Sequence, residues 1–127
     1  PETLADNFRS TFYDESRIPD DTVEAYGRIL TQPGWEAAFL KLLSSGMAEN
    51  LYTPDDLAAI DVATLLIWGK EDTWVPYQVG EALEAVIPTA ELITYELTGH
   101  VPMEERVEWF IPDLLAFLER AKLEEVP

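Results

Sequence analysis

Two stretches decide the fold of this chain: TLLIWGKEDTWVP at residues 64–76 and TGHVP at residues 98–102. Each carries a polar residue just after an apolar run of strand length, Asp72 in the first stretch and His100 in the second. In open α/β sheets, ligand and catalytic sites form at the carboxyl ends of the strands. Asp72 and His100 are therefore the first candidates for chemistry.

The residues between the two stretches predict a helix over 77–87, because apolar residues recur there at helical spacing between flanking prolines. Strands are predicted over 62–68 and 92–97, and the first is apolar almost without alternation, as in an interior parallel strand. The order strand, helix, strand predicts a βαβ unit with parallel neighbouring strands. Both loops then open on one edge of the sheet, which makes Asp72 and His100 expected hydrogen-bond partners.

The motif around Asp72 resembles a known family. An apolar strand runs into Trp68-Gly69-Lys70-Glu71-Asp72, and a second strand ends at Gly99-His100. This arrangement resembles the C-terminal portion of an α/β-hydrolase, where the acid follows the seventh strand and the histidine follows the eighth. The resemblance implies that Asp72 is the acid of a catalytic triad and His100 its general base. The family places the acid third after the glycine, which selects Asp72 over Glu71.

The nucleophile of that family has no counterpart in this sequence. It sits in a G-x-S-x-G elbow, or the same elbow with Asp or Cys, upstream of both strands. The four serines, Ser10, Ser16, Ser44 and Ser45, are not flanked by glycine on both sides, and an HGGG-type stretch is also absent. We therefore expect the nucleophile to reside on a missing N-terminal part.

Helices predicted over 22–30 and 35–43 resemble, by position, the later helices of the cap that many α/β-hydrolases insert before the seventh strand. The expected fold class is α/β, with cap-like helices followed by a parallel βαβ unit and a C-terminal helix. We assign residues 1–50 to the helical cap-like segment and residues 51–127 to the C-terminal part of the hydrolase core.

The final segment, residues 103–123, is helical by pattern but contains Pro112. A proline inside an unbroken helix costs roughly 3 kcal/mol, because it removes a hydrogen bond and clashes with the preceding turn. We predict a break there, with a short helix from Glu104 or Glu105 and then a longer helix that has Pro112 in its first turn. Arg106 stands where relatives often carry a proline, which leaves the start of that helix open.

Composition excludes several function classes. The net charge of −17, from 25 acidic and 8 basic residues, argues against binding to nucleic acid or to an anionic membrane. The acidic excess indicates either an ordinary solvated surface or adaptation to high salt. No apolar stretch approaches the roughly 20 residues that span a bilayer, and no signal-peptide pattern is present, so we expect a cytoplasmic protein.

The absence of cysteine excludes disulfides, thiolate metal sites and a Cys nucleophile within this chain, and the single histidine excludes a histidine-rich metal site. The mechanism implied by the resemblance requires no metal and no organic cofactor. Trp74 and Val101 flank the two triad positions and are candidates to line a substrate pocket, although such residues more often only pack.

The leading hypothesis is hydrolysis of an ester, lactone, epoxide or similar substrate, with Asp72 and His100 acting on a nucleophile supplied from elsewhere. A Ser nucleophile would imply esters, lactones or carbon–carbon bond cleavage, and an Asp nucleophile would imply epoxides or haloalkanes. Two strands are too few to stand alone. The expected partner is therefore a second polypeptide carrying the N-terminal strands and the nucleophile, or further copies of this chain. The alternatives are a non-catalytic small-molecule binding module and an inert fragment.

Overall fold

The structure is a computed structural model that describes residues 8–29, 31–46 and 52–124. Its elements are a 3₁₀ turn at Glu15–Arg17, α1 at Thr22–Ile29, α2 at Trp35–Gly46, α3 at Pro54–Ala58, β1 at Thr64–Gly69, α4 at Gln78–Val86, β2 at Ala90–Tyr95, α5 at Pro102–Glu105 and α6 at Val107–Glu124. Helices and a parallel sheet confirm the expected α/β class.

The sheet consists of β1 and β2, paired in parallel from Thr64 opposite Ala90 to Gly69 opposite Tyr95. The βαβ unit is therefore as predicted, and the loops after the two strands lie at the same end of the sheet. The second strand begins and ends two residues earlier than the 92–97 prediction. Beyond it Leu97 adopts a left-handed backbone with φ of 52°, which no extended strand tolerates.

Two helices pack on this sheet through close contacts. A Cβ built on Gly80 of α4 would lie 2.9 Å from the indole of Trp68. The helix therefore packs so close to β1 that only glycine fits at this position. On β2, the buried Tyr95 meets the Trp109 ring edge-on with centroids 5.6 Å apart, and its hydroxyl donates to Asp113 Oδ2 at 2.7 Å. Burial, followed by that hydrogen bond, raises the pKa of Tyr95 above its usual range.

The C-terminal helix breaks at a different residue from the predicted one. Helix α5 ends at Glu105, and Arg106 leaves helical geometry with φ of −129° and ψ of 47°. Pro112 is the sixth residue of the continuous helix α6, so the prediction of a break at Pro112, with that residue in the first turn, was wrong. The buried Arg106 side chain stacks on Trp109 and donates to Thr98, so tertiary contacts set the break.

The helices of the N-terminal region agree with the pattern. Helix α1 matches the 22–30 prediction up to Ile29, and α2 begins at the predicted Trp35 and ends at Gly46, near which its end was expected. Leu30 and the segment boundary proposed at residue 50 lie outside the described residues. In the parts of the chain that the structure describes, no helix is both long and apolar enough to cross a membrane.

Candidate active site

The loop after β1, residues 70–76, which we call the acid loop, holds the Asp72 carboxylate with its own backbone. Oδ1 of Asp72 accepts the N–H groups of Trp74 at 2.8 Å and Val75 at 2.9 Å. Aspartate commonly binds backbone amides two and three residues ahead, so the sequence order itself favours this turn. The second oxygen, Oδ2, remains directed at the neighbouring loop.

The structure places His100 in hydrogen-bond contact with Asp72, as the sequence predicts. Nδ1 of His100 lies 2.8 Å from Oδ2 of Asp72. The Asp72 side chain is 3% exposed and that of His100 is 36% exposed, so the acid is buried and the imidazole reaches the surface of the described chain. An ionised carboxylate can only accept, so this geometry suits the tautomer protonated at Nδ1, in which Nε2 is the unprotonated nitrogen.

The loop after β2, residues 96–101, which we call the histidine loop, rests on backbone far away in sequence. The N–H of His100 donates to the carbonyl of Thr11 at 2.7 Å. A Cβ on Gly99 would lie 2.4 Å from that same carbonyl oxygen, and a Cβ on Gly69 would lie 2.1 Å from the carbonyl oxygen of Gly99. Glycine at positions 69 and 99 therefore allows the two loops and the segment around Thr11 to touch.

Glu71, the neighbour of the acid, has a separate partner. Its Oε2 accepts the backbone N–H of Thr98 at 2.9 Å, and its own N–H donates to the Thr98 carbonyl at 3.0 Å. Glu71 therefore links the acid loop to the histidine loop, while Asp72 makes the hydrogen bond to the imidazole. This agrees with the choice of Asp72 over Glu71 made from the sequence.

A cavity of about 160 Å³ opens beside the pair and is lined by Ile67, Trp68, Gly69, Asp72, His100 and Pro102. Of the two predicted pocket residues, Trp74 stacks on His100 with ring centroids 5.8 Å apart and is 52% exposed. Val101 follows His100 directly and precedes α5, but neither it nor Trp74 belongs to this lining. Among the residues that the structure describes, no group of three or more His, Asp or Glu could hold a metal ion.

Sequence reasoning missed two charged residues that support the histidine loop. Glu105 is 1% exposed, and its carboxylate accepts three backbone N–H groups, one of them that of Gly99. Arg106 is buried and its Nε donates to Thr98 Oγ1 at 3.2 Å. In the sequence, Glu105 appears as one of two consecutive acids at a helix start, a position where acids are ordinary. No local signal separates it from Glu104.

Comparisons with known proteins agree with this architecture. Residues 1–113 match the alpha/beta hydrolase family. The uncharacterized hydrolase YugF of Bacillus subtilis (strain 168) is similar, with 29% identity over 120 residues, which is 93% of this chain and 42% of YugF. The 2-hydroxy-6-oxononadienedioate/2-hydroxy-6-oxononatrienedioate hydrolase of Cupriavidus pinatubonensis (strain JMP 134 / LMG 1197) shares 31% identity over 107 residues, 84% of this chain and 37% of that protein.

A solved structure extends the comparison to the fold. The serine hydrolase involved in carbazole degradation, the CarC enzyme, superposes with a TM-score of 0.82 at 22% identity, over 93% of this chain and 46% of that one. The chain thus spans less than half the length of each of these three proteins. The two-stranded sheet and its helices correspond to part of a hydrolase fold, and the chain belongs to the alpha/beta hydrolase family.

Proposed function

We propose that this chain supplies the acid and the general base of an α/β-hydrolase active site, with Asp72 as the acid and His100 as the base. The nucleophile is contributed by an N-terminal part that this sequence does not contain. The observation that carries the proposal is the 2.8 Å contact between Nδ1 of His100 and the buried Asp72 carboxylate, which leaves Nε2 as the proton acceptor.

The chemistry follows from that geometry. Nε2 of His100 removes a proton from the attacking hydroxyl, or from water if the nucleophile is an aspartate, and Asp72 stabilises the imidazolium that forms. The proton then passes from Nε2 to the leaving group. Water deprotonated by Nε2 afterwards cleaves the covalent intermediate, and the proton returns to the released nucleophile, which restores the imidazole to its starting form. Asp72 also holds the ring in the tautomer that leaves Nε2 unprotonated. No step requires a metal or an organic cofactor.

The free edge of β1 is the proposed docking position for the missing strands. In the described part of the chain, β1 pairs only with β2, and its residues from Thr64 to Trp68 remain partly exposed. An apolar strand with an unpaired edge is a template for pairing with another strand. Pairing there would bring the added strands next to the cavity that Asp72 and His100 line. The strand that pairs there is expected to come from a second polypeptide that carries the N-terminal part, or else from a further copy of this chain.

The proposed substrate is a small organic molecule with a hydrolysable carbonyl group. The similar proteins include hydrolases named for 2-hydroxy-6-oxo dienedioates and a pimeloyl-[acyl-carrier protein] methyl ester esterase. These names support esters and related carbonyl compounds over epoxides or haloalkanes, and thereby a serine nucleophile.

The test is turnover of a panel of small esters and lactones by the protein assembled with its N-terminal part. His100→Ala and Asp72→Asn are each expected to lower kcat by about 10³- to 10⁴-fold, and the double variant should lose little more, because triad members act as a unit. Asp55→Asn is the matched control, since it makes the same chemical change in the exposed first turn of α3.

Wild-type turnover by His100→Ala would contradict the proposal. Binding of a small molecule without turnover by the assembled wild-type protein, unaffected by Asp72→Asn, would favour a non-catalytic binding module instead. If native mass spectrometry finds only copies of this chain in an active assembly, the nucleophile does not come from an N-terminal part.

A further inference from the structure

We infer that Glu105 is a positioning residue that sets the geometry of the Asp72–His100 pair, by joining the histidine loop to the segment at residues 8–14. We call residues 8–14 the upstream segment. The inference rests on the proposed function, because it assigns a supporting role within the same site. Glu105 does not touch the imidazole; it acts through the backbone that carries it.

The contacts of Glu105 are those of a buried connector. Its Oε2 accepts the N–H of Gly99 at 2.7 Å and the N–H of Tyr13 at 3.2 Å, and its Oε1 accepts the N–H of Asp14 at 2.8 Å. Burial of a carboxylate is costly unless such hydrogen bonds compensate for lost water. The nearby guanidinium of Arg17 donates to the Glu105 backbone carbonyl at 2.8 Å, so the carboxylate itself is held by amides.

These contacts form a ring of hydrogen bonds around Gly99, the residue before His100. Glu105 binds the amide of Gly99, and the next amide, that of His100, donates to the Thr11 carbonyl at 2.7 Å. The same carboxylate binds Tyr13 and Asp14, which follow Thr11 closely in sequence. Two consecutive amides of the histidine loop are thus bound to one segment, directly and through Glu105, which restricts the backbone orientation from which His100 projects.

The adjacent Arg106 binds a different part of the histidine loop from Glu105, so the effects of the two residues can be told apart. Arg106 donates to the Leu97 carbonyl and to Thr98 Oγ1, on the side of the loop next to β2. It therefore holds the turn that contains the left-handed Leu97. Glu105 holds Gly99, the residue next to His100. Loss of the Glu105 contacts is therefore expected to weaken the hydrogen bond between His100 and Asp72 while the turn at Leu97 keeps its conformation.

Glu105→Gln is the sharp substitution because it keeps the size of the side chain and changes its hydrogen-bonding pattern. All three partners of Glu105 are N–H donors, and an amide replaces one accepting oxygen by an NH₂ group that can only donate. Whichever way the amide turns, at least one N–H in this ring faces another donor. Glu104→Gln is the matched control, since it removes the same charge one residue earlier, where Glu104 accepts from the Tyr26 hydroxyl.

The experiment is ¹⁵N NMR of the imidazole at neutral pH in the full chain, where the single histidine gives one set of ring signals. The wild type and Glu104→Gln are expected to show the tautomer protonated at Nδ1. Glu105→Gln is expected to shift the dominant population to the tautomer protonated at Nε2, which an unpaired imidazole favours, with Asp72→Asn as the reference for a lost acid. A merely structural role for Glu105 would lower stability without changing the tautomer of the folded protein.

The possible failures are distinguishable. A folded Glu105→Gln variant with the wild-type tautomer overturns the inference and leaves the proposed function standing. A wild type that lacks the tautomer protonated at Nδ1 contradicts the Asp72–His100 pair itself.

If Glu105→Gln does not fold, hydrogen exchange in the wild type decides. The amides of Gly99, Tyr13 and Asp14 are expected to exchange more slowly than exposed loop amides. Exchange at the rate of an exposed loop at these three positions overturns the inference.

Discussion

The acid loop and the histidine loop differ in what holds them. Asp72 is fixed by amides two and three residues ahead of it, within the same stretch of sequence. The amide of His100 is bound by a carbonyl of the upstream segment, and Gly99 is bound by Glu105, which also reaches amides 91 and 92 positions away. The Asp72 carboxylate is therefore oriented by amides of its own loop, whereas the backbone next to His100 is held by segments far away in sequence.

Because of this difference, the contacts that hold His100 in place are expected to be less stable than those that hold Asp72. Local contacts form with little loss of chain entropy, while contacts between distant segments require the fold to be complete. Partial unfolding of the upstream segment is therefore expected to release His100 before it releases Asp72.

The largest expected effect comes from Gly69→Ala, which disturbs both loops together. The new Cβ would lie 2.1 Å from the Gly99 carbonyl oxygen and 2.3 Å from that of Thr98, and backbone atoms cannot move aside cheaply. We expect a loss of about 3 kcal/mol in the free energy of unfolding, at the upper end for overpacking. Urea denaturation measures it.

Gly27→Ala is the matched control for that substitution. Nothing lies within 4 Å of a Cβ at position 27, in the interior of α1. Alanine should therefore stabilise the helix by up to about 1 kcal/mol. Equal stability of Gly69→Ala and the wild type would show that the two loops are not in such close contact.

Trp74→Phe tests whether the acid loop orients Asp72 without help from the upstream segment. The indole Nε1 donates to Ser10 Oγ at 3.1 Å, a direct link from this loop to the upstream segment. We expect its loss to cost about 1 kcal/mol, typical of a partly exposed hydrogen bond, and to leave the His100 tautomer unchanged, because the residue 74 amide still binds Asp72. Thermal unfolding and imidazole NMR check the two parts.

Trp68→Phe is the comparison variant for Trp74→Phe, because Trp68 Nε1 donates to the Val75 carbonyl at 2.9 Å inside the acid loop. It should cost more, since it removes a bond between β1 and the acid loop and also reduces packing against Gly80. A change of tautomer in Trp74→Phe alone would contradict the local orientation of the Asp72 carboxylate by its own loop.

The smallest expected effect is that of Glu108→Gln beside the histidine loop. Arg17 bridges the Glu105 carbonyl and Glu108 Oε1, at 2.8 and 2.7 Å. A backbone hydrogen bond within Glu108, and then the bond from Arg17, hold the pKa of this carboxyl below its ordinary value of 4.5. A lowered pKa adds stability above pH 4.5 that is lost as the pH falls through the folded-state value.

The stability difference between Glu108→Gln and the wild type should therefore be small at neutral pH and vanish in acid. It should also shrink in high salt, since both side chains are solvated. Denaturation at neutral and acid pH measures the effect, with Glu119→Gln of the exposed Glu119–Lys122 pair as the control. A difference that grows on acidification would contradict the assignment.

The break in the C-terminal helix illustrates where prediction from the sequence fails. Local propensity singles out Pro112, yet the helix continues through it and breaks at Arg106. Arg106 lies where its buried side chain can reach Thr98 and Trp109, and those contacts outweigh the local preference. The role of Glu105 could not be predicted either, because the sequence alone does not show which of two consecutive acids at a helix start is buried.

The sequence by itself determined the order of Asp72, helix and His100 and the parallel pairing of the strands, while the choice of Asp72 over Glu71 as the acid came from the family resemblance and stays a prediction. The order and the pairing follow from hydrophobic periodicity and from the parallel geometry of βαβ units, both of which depend only on the order of residues along the chain. Only the tertiary structure decided that Gly69 and Gly99 bring the loops into contact, and that Glu105 holds Gly99 on the upstream segment. Contacts across some 90 residues depend on how the whole chain closes, and no local pattern encodes them.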